Sequence, residues 1–403
     1  MITFLNASTL DGKTIDLQVS SSEHKTINAK GLLAFPAVID PHVHFRTPGM
    51  EYKEDWRTGA KAAIRGGCTT VFDMPNTQPP TITAHLLAEK KQLIDTQLHE
   101  VGIPLRYELF FGADKQHLNE IPAVKDKVVG IKIFMGCSTG NLVIDDDESL
   151  QAAFEIAARE NMLIAVHAED EHLIQTRKAN FAGELVYRAH SDIRNVDVAV
   201  KAVKKAIALT RRYGTRLYIL HMSTAEELAL VKTAKQEGLP VFAETTPHHL
   251  FFDDSAYGRL GGKAVVNPPL RDKRYKPALF EAIHEGVIDT IGSDHAPHTL
   301  DEKSKPYGQC PSGMPGIEFM LPLLFTAFHQ GLLSLIEIQN LTSGRARTVF
   351  QLPAYEDWVL VDLDKKARVN TTESKCGWTP YQDMELRGWP VYTTVRGKVF
   401  HFG

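Results

Sequence analysis

The stretch Asp40-Pro41-His42-Val43-His44-Phe45-Arg46 decides the reading of this chain, and it directly follows an apolar run, Gly31 to Ile39, that reads as a buried strand. Strand alternation puts His42 and His44 on one side, about 7 Å apart along the strand. Two neutral imidazoles so placed can reach one divalent metal ion. For a lone His-X-His the more common fate is two satisfied surface or core histidines. Further histidine and aspartate clusters, each at the end of a later apolar run, turn the reading toward a metal centre.

Working outward, eight apolar, β-branched runs recur: 32–39, 69–73, 106–111, 128–134, 162–166, 216–220, 241–244 and 287–291. Helical patterns lie between most of them. Over Asp147 to Asn161, Leu150, Phe154 and Ala157 share one face and Asp147 is the expected N-cap. Asn195 to Tyr213 interleaves Val198, Ala199, Val203, Ile207 and Leu209 with lysine and arginine. Alternating strands and helices predict a parallel sheet, and eight such units predict a (β/α)8 TIM barrel with its chemistry at the C-terminal ends of the strands. The polar clusters fall there: His42 and His44 after strand 1, Lys132 in strand 4, His167 after strand 5, His221 after strand 6 and Asp294 after strand 8. Residues 1–30 and 352–403 carry short alternating runs, such as 391–400 with Gly397 at a turn. Both chain ends are expected to pair into a small β-sandwich domain outside a barrel of residues 31–351.

The chain has 403 residues, 43% of them hydrophobic, enough for one large core and a small appended domain. A net charge of −4 argues against a nucleic-acid or anionic-membrane binder. The N-terminus lacks the basic and apolar regions of a signal peptide, and no stretch approaches the roughly 20 apolar residues of a membrane span. The 4 cysteines form no close pair and read as free thiols of a cytoplasmic protein, with Cys68 and Cys137 as small core residues.

His42, His44, His167, His221 and Asp294 are five candidate ligands, more than one catalytic zinc with an open position requires. They suggest two divalent metal ions sharing a bridge. Lys132, in Gly130-Ile131-Lys132-Ile133-Phe134, has two readings. It is a snorkelling surface lysine, the one this stretch alone favours, or a carboxylated lysine that supplies an anionic bridge. A metal pair acidifies water and polarises a carbonyl oxygen, and a carboxylate after strand 8 could move the proton. The residues therefore point to hydrolysis of a carbon–nitrogen or ester bond, or its reverse.

These residues sit in motifs: HVHFRTPG (42–49), DMPNT (73–77), GIKIFMG (130–136), VHAED (166–170), LHMS (220–223), TPHH (246–249), NPPLR (267–271) and GSDHAPH (292–298). In this order and spacing the chain resembles, over nearly its whole length, the cyclic amidohydrolases of the amidohydrolase superfamily, and among them the dihydroorotase family. The resemblance implies a cofactor of two divalent ions, zinc first among the choices. His42, His44 and Asp294 would hold the more buried ion, His167 and His221 the other, and carboxylated Lys132 would bridge them. Some members bridge with an aspartate, and Asp145, Asp146 and Asp147 lie nearby in sequence. Asp294 would also be the catalytic acid and base. Arg46, which hydantoinases and allantoinases usually lack, would grip the carboxylate of the small-molecule substrate, with Asn76 and His298 beside it and Asn267 on the ring. The implied reaction is the cyclisation of N-carbamoyl-L-aspartate to L-dihydroorotate in pyrimidine biosynthesis. A homodimer and association with aspartate carbamoyltransferase are partner expectations of the same resemblance.

Taken singly, Arg46 could be a surface ion-pair residue, and Asn76 and Asn267 could stabilise turns. Ser312-Gly313-Met314 stands where many family members have Phe-Gly, so the pocket wall should differ. His248 and His249 are expected to pack or to support ligands, Glu318 to pack in a helix, and residues 299–311 to form a mobile loop over the site. Two rivals remain. One is an allantoinase or dihydropyrimidinase (hydantoinase) acting on uncharged rings. The other is a non-catalytic scaffold subunit, disfavoured because such subunits lose metal ligands that this chain keeps.

Overall fold

A computed structural model describes residues 1–136 and 142–402; Cys137 lies outside the described residues. Four strands open the chain: β1 (Ile2–Ser8), β2 (Thr14–Val19), β3 (Lys25–Asn28) and β4 (Leu33–Pro36). Eight more form a second sheet: β5 (Val38–Val43), β6 (Cys68–Asp73), β7 (Arg106–Gly112), β8 (Gly130–Phe134), β9 (Leu163–His167), β10 (Arg216–Ile219), β11 (Val241–Thr245) and β12 (Thr290–Ile291). Their order is sequential and parallel, and a parallel bridge between Val43 and His295 brings the two edges together. This is the (β/α)8 barrel that the strand-end clusters imply.

The chain closes with β13 (Trp358–Arg368), β14 (Glu385–Val395) and β15 (Lys398–His401). With β1–β4 they make one seven-stranded sheet, in the order β15-β14-β13-β4-β1-β2 with β3 also on β1, so both chain ends share a domain outside the barrel. The apolar run before His42 is not one strand. Leu33–Pro36 pairs with β13 in the terminal sheet, and only Val38–Val43 enters the barrel. An unbroken apolar run carries no mark of that change of sheet. The switch falls between Ala37, whose N–H still donates to Asp357 O at 3.1 Å, and Val38, whose N–H donates to Gly67 O at 3.0 Å.

Alternation along the barrel strands sorts the side chains. Val71, Leu109, Ile131, Ile133, Ile164, Val166 and Ile219 join the core shared with the surrounding helices. Phe72, Phe110, Tyr218 and Leu220 belong to a separate cluster capped by Phe350, whose ring meets those of Phe72 and Tyr218 edge-on at 4.8 and 4.9 Å. That apolar plug is the floor beneath the site. The helix after β8 spans Asp147–Arg159, and its N-cap is Asp146, one residue before the expected Asp147, with its carboxylate accepting from Ser149 N. The helix Val196–Tyr213 buries the anticipated face and stops at Gly214, whose φ of 72° suits glycine. Among the described residues no helix is long and apolar enough to cross a membrane.

Candidate active site

One cavity of about 300 Å³ opens at the C-terminal end of the barrel, and all ten side chains singled out in the sequence line it: His42, His44, Arg46, Asn76, Lys132, His167, His221, Asn267, Asp294 and His298. Asp294 Oδ1 lies 3.2 Å from His42 Nε2 and 3.1 Å from His44 Nε2. Across the cavity His167 Nδ1 lies 3.0 Å from His221 Nε2. Ligand atoms of His42, His44 and Asp294 fall within 4.8 Å of one another, so one ion can touch all three. Three of the imidazoles are backed on the far nitrogen by an oxygen acceptor: His42 Nδ1 by Glu244 Oε1 (2.8 Å), His44 Nδ1 by Asn76 Oδ1 (2.8 Å) and His167 Nε2 by Glu169 Oε2 (2.9 Å). Each backing bond draws the ring proton away from the cavity and leaves a lone pair facing it, as a metal ligand requires. His221 Nδ1 has no hydrogen-bond partner among the described residues. The donor set thus fits divalent ions that accept imidazole and carboxylate.

Burial pushes His44 down to about 3 and lowers His167 and His221 as well. Burial alone would raise the Asp294 carboxyl, but His42, His44 and His221 outweigh it and hold it well below the usual range. Asp40 ties the two ligand-bearing strands together: its Oδ1 accepts from His42 N at 3.2 Å and Ser293 N at 2.9 Å. Arg46, His221 and Asp294 have φ of 62°, 42° and 44°, a region costly for side-chain-bearing residues. Such strain gathers where function aims the side chain.

Lys132 is 1% exposed, which removes the surface-lysine reading. It alternates with the outward Ile131 and Ile133, and its ammonium sits 4.6 Å from the Phe134 ring. Burial pushes it down to about 7, against the pull of Asp294 and Glu244. The three aspartates offered as alternative bridges are elsewhere: Asp145 and Asp146 pair with Lys115, and Asp147 with Lys205.

The other end of the cavity is rich in donors. Arg46, 3% exposed, donates from Nε to Pro297 O at 3.1 Å, and its Nη2 lies 3.1 Å from His298 Nε2. Burial lowers its guanidinium only to about 10, so it remains a cation. His190, buried, donates from Nε2 to Val266 O and Asn267 Oδ1, both at 2.9 Å. Residues 299–311 pack as a wall. Leu300–Lys303 is a short helix with a Thr299–Glu302 capping box, and the buried Lys303 ammonium donates to Val265 O and Pro311 O. Cys310 through Gly313 line the cavity, so the segment that departs from the family pattern is indeed pocket wall. The connection from β13 to β14 braces this end: Trp378 Nε1 donates to His298 O at 2.7 Å, Ser374 Oγ donates to Glu54, and Lys375 pairs with Asp55 at 3.0 Å.

His248 and His249 are buried but do not line the cavity; His249 bonds Thr246 Oγ1 and Pro268 O. Glu318 packs against Arg65 at 3.1 Å. Sequence reasoning passed over Glu244, Glu169, His190 and Lys53. The first two had a signal, an acid at a strand end or two residues after a candidate ligand; His190 and Lys53 had none.

Residues 33–346 match the amidohydrolase family. The chain belongs to that family. This amidohydrolase is 36% identical to a dihydroorotase from Methanosarcina acetivorans, over 95% of this chain and 85% of the relative. It is 33% identical to a dihydroorotase from Bacillus licheniformis, over 96% of this chain and 90% of the relative. Among solved structures, an L-hydantoinase (dihydropyrimidinase) from Arthrobacter aurescens superposes with a TM-score of 0.92 at 28% identity, covering 99% of this chain and 95% of that one. As an amidohydrolase with these relatives, the chain is a hydrolase acting on cyclic amides, and His42, His44 and Asp294 match the family's need for metal.

Proposed function

We propose that this amidohydrolase is a dihydroorotase, interconverting N-carbamoyl-L-aspartate and L-dihydroorotate in pyrimidine synthesis. The observation that carries the reading is Arg46: a buried, permanently charged guanidinium facing the same 300 Å³ cavity as the His/Asp donor set. An uncharged ring would leave it unmatched, whereas a ring carboxylate accepts from it bidentately.

In this reading His42, His44 and Asp294 would hold one divalent ion and His167 and His221 a second. Lys132, as a carbamate formed when its amine adds to carbon dioxide and loses a proton, would supply a further anionic ligand between these two groups. Its burial, with no ion pair among the described residues, supports that assignment. Two such ions, zinc by donor chemistry, supply an acidified water and a polarised carbonyl when bound. Arg46 and His298 grip the substrate carboxylate, the Asn76 amide adds a donor beside them, and Asn267 meets the ring, so the reacting carbonyl is delivered to the histidine end. Asp294 takes the proton of the attacking water and gives it to the amide nitrogen as the C–N bond breaks. In the biosynthetic direction Asp294 receives the proton of the closing nitrogen and delivers it to the departing hydroxyl.

The likeness to an L-hydantoinase favours a second reading, turnover of an uncharged ring. A hydrolysis assay on L-dihydroorotate, hydantoin, dihydrouracil and allantoin, with metal content measured on the same sample, separates them. Turnover of L-dihydroorotate alone is expected, with close to two ions per chain. Preferential turnover of an uncharged ring, undiminished in Arg46→Ala, would overturn the proposal.

A further inference from the structure

Lys53 stands behind the donor-rich end of the cavity, 6% exposed and outside every motif that points to function. Its ammonium donates to Glu302 Oε1 at 2.8 Å and to His298 Nδ1 at 3.0 Å. An ammonium has three donors and no lone pair, so Nδ1 must accept and the ring proton must sit on Nε2. The surroundings of Nε2 agree: the carbonyl oxygen of Ser312 lies 3.0 Å away and accepts that proton. The opposite tautomer would set an N–H against an ammonium and a lone pair against a carbonyl oxygen. Double protonation is opposed too, since burial and then Arg46 push His298 down to about 3. Arg46 Nη2, 3.1 Å from Nε2, is likewise only a donor. Two donors, Arg46 Nη2 and His298 Nε2, therefore face each other beside the cavity with the Ser312 carbonyl oxygen as their neighbouring acceptor, and an anion's oxygen placed between them can accept from Arg46 and share the His298 proton.

We propose that Lys53 is a positioning residue that locks His298 as an Nε2–H donor, so that His298 and Arg46 together select a carboxylate-bearing ring. The inference rests on the dihydroorotase reading. Without Lys53, Nδ1 can carry the proton toward Glu302 Oε2, which is 3.7 Å away. The Nε2 lone pair then takes the Arg46 N–H, and the carboxylate loses both donors at once.

The test is steady-state kinetics on L-dihydroorotate for the metal-loaded wild type, Lys53→Met, Lys53→Arg, His298→Asn and the Lys53→Met/His298→Asn double variant, with melting temperature and metal content alongside. Loss of a charge-assisted hydrogen-bond pair predicts a KM roughly 10- to 100-fold higher in Lys53→Met, with kcat changed far less. Lys53→Arg, which still donates, recovers most of the loss. In the His298→Asn background Lys53→Met adds little further, because a residue acting through His298 has nothing left to position. Should Lys53→Met fail to fold, Lys53→Gln keeps a donor without the charge and takes its place, with a smaller KM rise expected. An unchanged KM, or KM effects that multiply in the double variant, would overturn the inference. A wild type that does not turn over L-dihydroorotate overturns the dihydroorotase reading instead. Calorimetric binding of orotate then reads Lys53 separately, with equal affinity for wild type and Lys53→Met counting against it.

Discussion

The two ends of the cavity are built on opposite plans. At the histidine end, acceptors stand behind the rings: Glu244, Asn76 and Glu169 take the outer ring protons of His42, His44 and His167 and leave lone pairs facing inward. At the Arg46 end, donors crowd together: Arg46, Lys53 and His298 offer N–H groups with Glu302 the chief anion among them. The first plan creates an appetite for cations and the second for anions. In the proposed reading, the difference lets one small pocket take metal and carboxylate without either group collapsing onto the other's site. Asn76 is the joint, its oxygen serving His44 while its side chain lines the cavity.

If the ends are as separate as this, variants should divide cleanly. Asp294→Ala should have the largest effect, a loss of at least ~10³-fold in kcat from removing a proton-transfer group that is also a ligand. The fold should survive, as circular dichroism can check. Glu244→Gln should weaken metal binding by roughly 10- to 100-fold in a chelator competition, while metal-saturated enzyme keeps its KM. Arg46→Ala should raise KM for L-dihydroorotate by a similar factor at unchanged metal stoichiometry, the loss of a bidentate ion pair. A change of metal content in Arg46→Ala, or of KM in metal-saturated Glu244→Gln, would break the comparison. The smallest effect concerns pH. Burial pushes His190, which holds Asn267, down to about 4, below its usual 6.5. Between those values the unfolded chain binds the extra proton, so stability is full above about pH 6.5 and falls as pH drops toward 4. The slope is at most ~1.4 kcal/mol per pH unit for one group. His190→Asn should flatten the melting-temperature profile in that window, and an unchanged profile would show that other groups set it.

The histidine end was largely legible in the sequence because its candidate ligands fall at or just past the C-terminal ends of barrel strands, so local pattern and barrel topology coincide. Lys132 was half legible. Flanking Ile131 and Ile133 fit either face until the strand's register is known, and burial decides for the cavity. The boundary between β4 and β5 was hidden because both halves of the run are equally apolar. Lys53 was illegible for a different reason: its meaning depends on His298, 245 residues away, and no local pattern encodes such a pairing.

The brace formed by Ser374, Lys375 and Trp378 also sets an order in time. Synthesis runs from N- to C-terminus, so every proposed metal ligand, ending with Asp294, exists before the residues that clasp Glu54 and the His298 backbone. The backbone support of His298 is therefore the last part of the pocket to be made, and it comes from a segment that contributes no wall to the cavity.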